Sequence, residues 1–506
     1  MNNRNIIITG FMGVGKTLIG QALAKEMGMS FVDTDDLIKK KCGKNIRTIF
    51  STHGERYFRN LEQQMCCNVS GESGAVISTG GGTLIFKKNK DFFNQSTIFC
   101  LTAPIQVIRK RLLNDFYNNK TRPLMEMFEE LWHERKPLYD EIFHQIENYN
   151  CSVKLVVEKM IELYILDTRF KSINKDIFCP VVIKNNILEE ITYFLKWISL
   201  FDRKICIITH PELNCLNSIQ YKLKNVLIIN IPSGEKSKSL TMVNYIYKKL
   251  LANNFTRNDA LIAFGGGVVG DVTGFVAGTF LRGINLVHVP TSLLAMIDSS
   301  IGGKSGINLS KGKNLIGVFK KPAGILIDPN LLQTLPKEEK RSGLAEAVKH
   351  AIIGDPILFH HLEHGLINFS WIIDRATEVK IKIVKEDFLE KNERVFLNFG
   401  HTFGHAIEIA SNYEIKHGEA ISIGMVYAAR YASIKGICDT ELVARIENLL
   451  HKLQLPTKLP CEITIKDLRH FIKHDKKRFG SMFYIIVPKK IGEVRKVEFD
   501  LGVFDQ

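Results

Sequence analysis

Gly10-Phe-Met-Gly13-Val-Gly15-Lys16-Thr17 lies between an apolar run, Asn5–Thr9, and an amphipathic stretch, and it fits the pattern GxxxxGK[ST]. A strand that ends in such a glycine turn and restarts as a helix aims several backbone N–H groups at one spot, where a helix N-terminus already favours anions. Gly13, Val14, Gly15 and Leu18 would cradle the phosphates of a nucleotide. Lys16 would reach the β- and γ-phosphates, and the Thr17 hydroxyl would ligate Mg²⁺. This turn commits the start of the chain to a parallel sheet with crossover helices.

The rest of the first 165 residues follows the same plan. Phe31–Asp33, Ala75–Ser78 and Thr97–Leu101 read as further strands, and Val153–Ile165 as a closing helix. Asp33-Thr-Asp35 follows the second strand, where one carboxylate can assist the metal and the other can accept a substrate hydroxyl. Gly80-Gly81-Gly82 ends the third strand and allows a small ligand close to the backbone. Arg59, Arg122 and Arg135 could clamp a carboxylate or the transferring phosphoryl group; singly, each could equally be a surface residue.

Asp33-Thr-Asp35, Gly54-Glu-Arg-Tyr-Phe-Arg59, Gly80–Gly82, Arg122-Pro-Leu and Arg135-Lys-Pro-Leu-Tyr139 together resemble shikimate kinase, over essentially all of residues 3–165. The resemblance implies that Asp35, Arg59, Gly81 and Arg135 hold shikimate and that Thr17 and Asp33 serve Mg²⁺. Lys16 and Arg122 would act on the phosphates, with Arg122 in a lid, while Asp35 orients the 3-hydroxyl that ATP phosphorylates. The segment between Arg122 and Arg135 is several residues shorter than is usual in that family.

A chain of 506 residues is too long for one core. Polar, basic Asp167–Asp176 reads as a break, giving a first domain at 1–166 and a linker at 167–177. A second α/β block follows, with strands near Ile205–Ile208, Val226–Ile231, Ala260–Phe264, Leu286–Pro290 and Ile325–Asp328. From about Pro336 to His474 the pattern is helical, and Met482–Phe499 reads as one or two short strands. The expected architecture is thus a P-loop α/β kinase domain, a Rossmann-like α/β part at 178–335 and a mainly α-helical part at 336–506, to which the runs that follow assign a dinucleotide and a metal with its substrate respectively.

Phe264-Gly-Gly-Gly267-Val-Val-Gly270-Asp271 ends a strand and opens a helix, as a dinucleotide loop does, although a purely structural glycine turn would look the same. Ser233, Glu235, Lys238, Thr291 and Ser292 add polar groups at other strand ends. Asp298, Lys304, Lys313 and Asn314 suit a phosphorylated or carboxylated substrate. Glu346 and Lys349, three apart, share one helical face. Three of the 15 histidines fall within seventeen residues, as His401, His405 and His417. His401 and His405 project from one face of a helix, a spacing used by metal sites, by proton-transfer sites and by hydrogen-bonded core pairs alike. Two histidines joined by Glu346 would make a metal set with positions open for substrate oxygens.

These long runs resemble 3-dehydroquinate synthase over roughly residues 178–490. The resemblance implies that Glu346, His401 and His417 ligate Zn²⁺ or Co²⁺, and that His405 binds substrate and moves protons. NAD would contact Ser233, Glu235, Lys238, Gly267, Val268, Val269, Gly270, Asp271, Thr291, Ser292, Lys304, Lys313, Leu331 and Thr334. Asp298, Lys304, Asn314, Lys349, Lys380, Arg394 and Asn398 would gather around the substrate, with Lys476 of the Asp475-Lys-Lys477 run added. The implied reaction converts 3-deoxy-D-arabino-heptulosonate 7-phosphate to 3-dehydroquinate and phosphate through transient oxidation by NAD⁺. Phe388 and Lys320 depart from the family pattern, which has an acidic residue and an aromatic there, and both read as packing changes away from the ligands.

A net charge of +15 invites a nucleic-acid reading, but the lysines are scattered and lack interleaved aromatics. A basic nucleotide-switch protein would also leave Glu346, His401 and His417 unexplained. A different P-loop small-molecule kinase joined to a metal polyol dehydrogenase or another sugar-phosphate cyclase remains the enzymatic alternative. Ten cysteines at irregular spacing without a CxxC pair, an N-terminus that reads as a strand, and the lack of a membrane-length apolar run point to the cytoplasm. The expected partners are small molecules, with room for a homodimer through the synthase part.

Overall fold

Ile6, Ile7 and Ile8 are wholly buried, so the strand they form (β1, Ile6–Thr9) is covered on both faces, as a central parallel strand must be. The computed structural model describes residues 4–117, 128–170, 179–213, 219–220, 222–223, 226–309, 312–468, 471 and 484–499. It divides into two units, 1–171 and 172–506.

In the first unit β1 is the middle of a five-stranded sheet of order β2-β3-β1-β4-β5, with β2 Ser30–Asp33, β3 Ala75–Ser78, β4 Thr97–Thr102 and β5 His144–Glu147. Every pairing is parallel, with Ile7 of β1 between Ile77 and Ile98. The helix Lys16–Met27 starts where Gly15 takes a left-handed conformation and stops at Gly28, which takes another. The helix Ile46–Ser70 is broken at Gly54. The four strands expected here are present. The fifth, β5, escapes a pattern search because His144, Gln145 and Glu147 dilute its apolar character.

His144 is nevertheless buried, facing Asp167 at 3.1 Å, and Asp167 also accepts from Thr97 at 2.7 Å. Asp167 was expected to open the linker. Instead it lies inside the helix Val153–Arg169, because its carboxylate is needed by β4 and β5. Residues 171–178 lie outside the described part.

The second unit carries a six-stranded parallel sheet of order β6-β13-β10-β9-β7-β8. Its strands are β6 Val181–Ile183, β7 Ile205–Thr209, β8 Val226–Asn230, β9 Ala260–Gly265, β10 Asn285–Pro290 and β13 Gly324–Ile327. Five match the expected runs; the edge strand β6, three residues long, carries too little pattern to be seen in sequence. An antiparallel pair, β11 Lys304–Leu309 and β12 Gly312–Phe319, was also unforeseen, since β12 is half-exposed and polar at its start. A helical part follows, including Lys337–Gly354, Phe369–Glu386, His401–Ala410, His417–Ile434 and Thr440–Lys452, and the described chain closes in the hairpin β14 Tyr484–Lys490 and β15 Glu493–Glu498. One core takes in Val181, Ile325 and Ile327 of the sheet together with Leu344, Val348 and Ile421 of the helices, so sheet edge and helices stabilise each other. No helix among the described residues is long and apolar enough to cross a membrane.

Candidate active sites

In the first unit, Gly10, Gly13 and Gly15 all have positive φ, and the turn they make carries Lys16 back over itself: its Nζ donates to the carbonyls of Gly10 at 2.8 Å and Phe11 at 3.1 Å. The Thr17 hydroxyl donates to Asp33 Oδ2 at 3.0 Å. Asp33 ends β2 and caps the next helix, its Oδ1 accepting from the Asp35 N–H at 3.0 Å. Thr17 and Asp33 therefore meet, while Lys16 is turned onto the backbone of its own loop. The backbone at 13–18 surrounds them, with Val14 buried and the Leu18 side chain exposed.

Beside this lies a second group. A Cβ on Gly80 would meet Glu62 Oε1, Thr83 Oγ1 and Asp35 Oδ1 at 2.8, 2.9 and 3.0 Å, so these oxygens converge on bare backbone. A Cβ on Gly82 would meet both terminal nitrogens of Arg59 and one of Arg135. Tyr139 donates to the carbonyl of Gly81. Arg59 is held by Glu62 at 2.5 Å and Glu55 at 2.8 Å. Burial pushes the Asp35 carboxyl up to about 6, with Asp33 and Glu62 adding to the rise. Asp35, Arg59, Gly81 and Arg135 do come together; Arg122 lies outside the described residues. Glu62, which positions Arg59, was missed, although it stands one helical turn after it.

In the second unit the Gly-rich turn follows β9, and the helix Gly267–Thr279 begins at its tip. Cβ atoms on Gly266 and Gly267 would touch the hydroxyls of Ser292 and Ser299 at 3.4 and 3.3 Å, so both serines line this turn. Val269 is buried, Val268 is half-buried, and Gly270 packs by His288. Lys238 donates to Asp271 at 2.7 Å and to Asn314 at 2.6 Å. Glu235 accepts from Asn308 at 2.7 Å, and Ser233 donates to Glu212. Thr291 and Ser292 follow β10, next to β9 in the sheet. Leu331 and Thr334 sit on the turn Pro329–Thr334 after β13, two strands away from β9.

The metal set is built from three helices. Glu346 lies mid-helix in Lys337–Gly354, wholly buried; His401 and His417 each open a helix. Their donor atoms lie within 4.8 Å of one another. His417 Nε2 is 3.3 Å and His401 Nε2 is 3.6 Å from Glu346 Oε1. Glu346 Oε2 is paired with Lys349, while Oε1 faces the two histidines and accepts no hydrogen bond of good geometry, which leaves that oxygen open to a cation. Burial pushes Glu346 up, but Lys349 and the two histidines overcome it and hold the group ionised. Burial, reinforced by Lys349, keeps His401 neutral, the form that binds metal. Its Nδ1 meets the Phe399 carbonyl at 3.1 Å, which directs Nε2 to the centre. These residues fit a divalent cation.

Around them stands a polar shell. Lys349 pairs with Glu346 and lies 3.5 Å from Asp298. Lys380 donates to the Asp298 carboxylate at 2.7 Å and His350 lies 3.3 Å from it. Burial pushes Lys380 down to about 8. Glu390 gathers Lys304 and Asn398, and Arg394 donates to the Phe388 carbonyl. Phe388 thus touches none of the three ligands, but its carbonyl holds Arg394, one of the expected substrate residues, and its ring lies 5.8 Å from that of Phe319. Lys320 bonds through its backbone to Gly303. His405 is exposed and stands edge-on to His401 at 5.3 Å between ring centres, outside the Glu346 set. Glu390, His350 and Glu408 were not foreseen, and Lys476 lies outside the described residues.

The N- and C-terminal family models of 3-dehydroquinate synthase match residues 228–342 and 343–478. The chain is 42% identical over 309 residues to a 3-dehydroquinate synthase of Synechocystis sp., spanning 58% of this chain and 86% of that protein. It belongs to the 3-dehydroquinate synthase family. A synthase of Streptococcus thermophilus is 40% identical over 62% of this chain and 92% of its own length. A solved 2-deoxy-scyllo-inosose synthase complexed with carbaglucose-6-phosphate, NAD⁺ and Co²⁺ superposes with a TM-score of 0.60 at 27% identity, covering 65% of this chain and 97% of that one. A 2-epi-5-epi-valiolone synthase of Streptomyces hygroscopicus with NAD⁺ and Zn²⁺ does so at 26% identity and the same TM-score, covering 66% and 96%. The shikimate kinase family model matches residues 12–164. The chain is a fusion of a shikimate kinase and a 3-dehydroquinate synthase, and an enzyme with both activities.

Proposed function

We propose that the two activities are carried by the two residue sets described above, each within one unit. The observation that bears most weight is the convergence of Glu346, His401 and His417 beside Asp298, Lys349 and Lys380. In the synthase unit, a divalent cation on those three donors supplies Lewis acidity to a substrate hydroxyl, and NAD at the Gly267–Asp271 turn supplies a hydride acceptor. Lys380, Lys349 and Arg394 bind the carboxylate and phosphate of the heptulosonate phosphate, and Asp298 fixes the two lysines. His405, exposed beside His401, takes and returns a proton.

In the kinase unit, Lys16 neutralises the transferring phosphate of MgATP while Thr17 and Asp33 attend the ion. Asp35 accepts a hydrogen bond from the shikimate 3-hydroxyl, and Arg59 and Arg135 hold its carboxylate. We further propose a cytoplasmic enzyme, in keeping with the free thiols of its described cysteines, and a homodimer through the synthase unit.

Both reactions are measured on one full-length preparation. Shikimate phosphorylation with MgATP and phosphate release from the heptulosonate phosphate with NAD⁺ and Zn²⁺, without net NADH, are expected. Lys16→Ala removes the first alone and His401→Ala the second alone. Loss of both reactions from either change would refute the assignment of separate sites.

A further inference from the structure

We infer that Glu408 is a positioning residue joining the metal centre to the nucleotide-binding strand pair, so that bound NAD⁺ and bound cation strengthen each other. The inference rests on the assignment of Glu346, His401 and His417 to the metal and of Lys313 to NAD.

Glu408 lies in the His401–Ala410 helix with its side chain 8% exposed. Both of its oxygens are engaged. Oε2 lies 3.3 Å from His417 Nδ1, and Oε1 accepts from Lys313 Nζ at 3.1 Å. His417 Nε2 in turn faces Glu346. One polar chain therefore runs Lys313–Glu408–His417–Glu346, from β12 to the buried carboxylate of the metal set.

A histidine that offers Nε2 to a cation must carry its proton on Nδ1. A carboxylate on that proton fixes the tautomer, orients the ring and makes it a stronger donor. His401 receives only the carbonyl of Phe399 in this role, so Glu408 is the charged support of the pair. Lys313 ends the chain at the other side, and its ammonium also lies 4.0 Å from the ring centre of Tyr413, in the connection between the two histidine helices. A nucleotide phosphate that attracts Lys313 leaves more of the Glu408 charge to His417, which tightens the cation. Linkage makes the effect reciprocal.

The test is a Co²⁺ titration of metal-stripped full-length protein, followed by visible absorption, without and with NAD⁺ at a concentration shown to saturate each variant. For the wild type, NAD⁺ lowers the Co²⁺ Kd by about fivefold or more. Glu408→Gln raises that Kd roughly 10- to 100-fold and abolishes the NAD⁺ effect. Lys313→Ala, which leaves every proposed ligand and Glu408 in place, also abolishes the NAD⁺ effect without raising the Kd. Should Glu408→Gln fail to fold, the wild type and Lys313→Ala still decide the matter. A wild-type Kd indifferent to NAD⁺, a Lys313→Ala protein that keeps the effect, or a second cobalt held by His405, Glu408 and His417 overturns the inference. His401→Ala separates the two levels. If it binds cobalt like the wild type, the metal assignment itself fails. If it loses cobalt while Glu408→Gln titrates normally, the assignment stands and this inference falls.

Discussion

Gly424 rests its Cα against the carbonyl of Gly400 so closely that a Cβ on Gly424 would stand 2.1 Å from that oxygen. Gly404 faces Ile421 and the Ala420 carbonyl in the same way. The two histidine helices thus meet backbone to backbone, and this approach sets His401 and His417 with 5.5 Å between ring centres.

Gly424→Ala is expected to force the helices apart. Overpacking of this kind costs about 1–3 kcal/mol, and the displaced histidines should weaken the metal site as well. Thermal unfolding together with synthase rate checks it. A variant with wild-type stability and rate would show that the contact does not set the histidine spacing.

Gly82→Ala would place a methyl 2.9 Å from Arg59 Nη1 and 3.3 Å from Arg135 Nη1. Arg59 cannot easily give way, because Glu62 and Glu55 hold it. The kinase should lose roughly ten- to a hundredfold in kcat/KM for shikimate, with KM for ATP little changed. An equal rise in both KM values would place the triple glycine elsewhere in the reaction.

Asp35, pushed up to about 6 by burial, must be ionised to accept the hydroxyl proton. Kinase kcat/KM should therefore fall with unit slope as pH drops through about 6. The stability effect has the opposite sense. Between the ordinary value of 3.8 and about 6 the folded chain binds more protons than the unfolded one, so this group favours folding as pH falls. A kinase profile flat down to pH ~5 would remove Asp35 from the proton path.

Lys380, pushed down to about 8 by burial, should give the synthase an alkaline limb. Its charge, and with it anion binding, is lost as pH rises through about 8. Over the range from there to 10.5 the unfolded chain binds more protons, so this lysine's contribution to stability rises while activity falls. Lys380→Arg, charged throughout, should shift the limb upward in any activity that survives. A Lys380→Arg profile with an unmoved limb would assign the limb to another group.

What could be read in the sequence was local. The phosphate turn, Asp33 and Asp35, the triple glycine, and Glu346 with Lys349 on one face all follow from spacing alone. The union of Glu346 with His401 and His417 does not, since fifty-five residues separate the first two and three helices must pack before they meet; residue types suggested Glu346 with two histidines, and the family resemblance chose His417 over His405. Glu62, His350, Glu390 and Glu408 carry no motif because they act on other side chains. Each nevertheless stands within four residues of one that was singled out. The strands β5, β6, β11 and β12 were missed where polar residues or short length hid the two-residue alternation. Asp167 was misread because a buried carboxylate paired with a histidine looks, in sequence, like a solvated one.

His401 and His417 are each the first residue of a helix. Two helix N-termini, with their partial positive charge, therefore open beside the Glu346 carboxylate together with Lys349, and the Asp298 and Glu408 carboxylates balance them from the outer side. The centre is ringed by charges of alternating sign, so that removing any one acid disturbs the whole balance rather than a single contact.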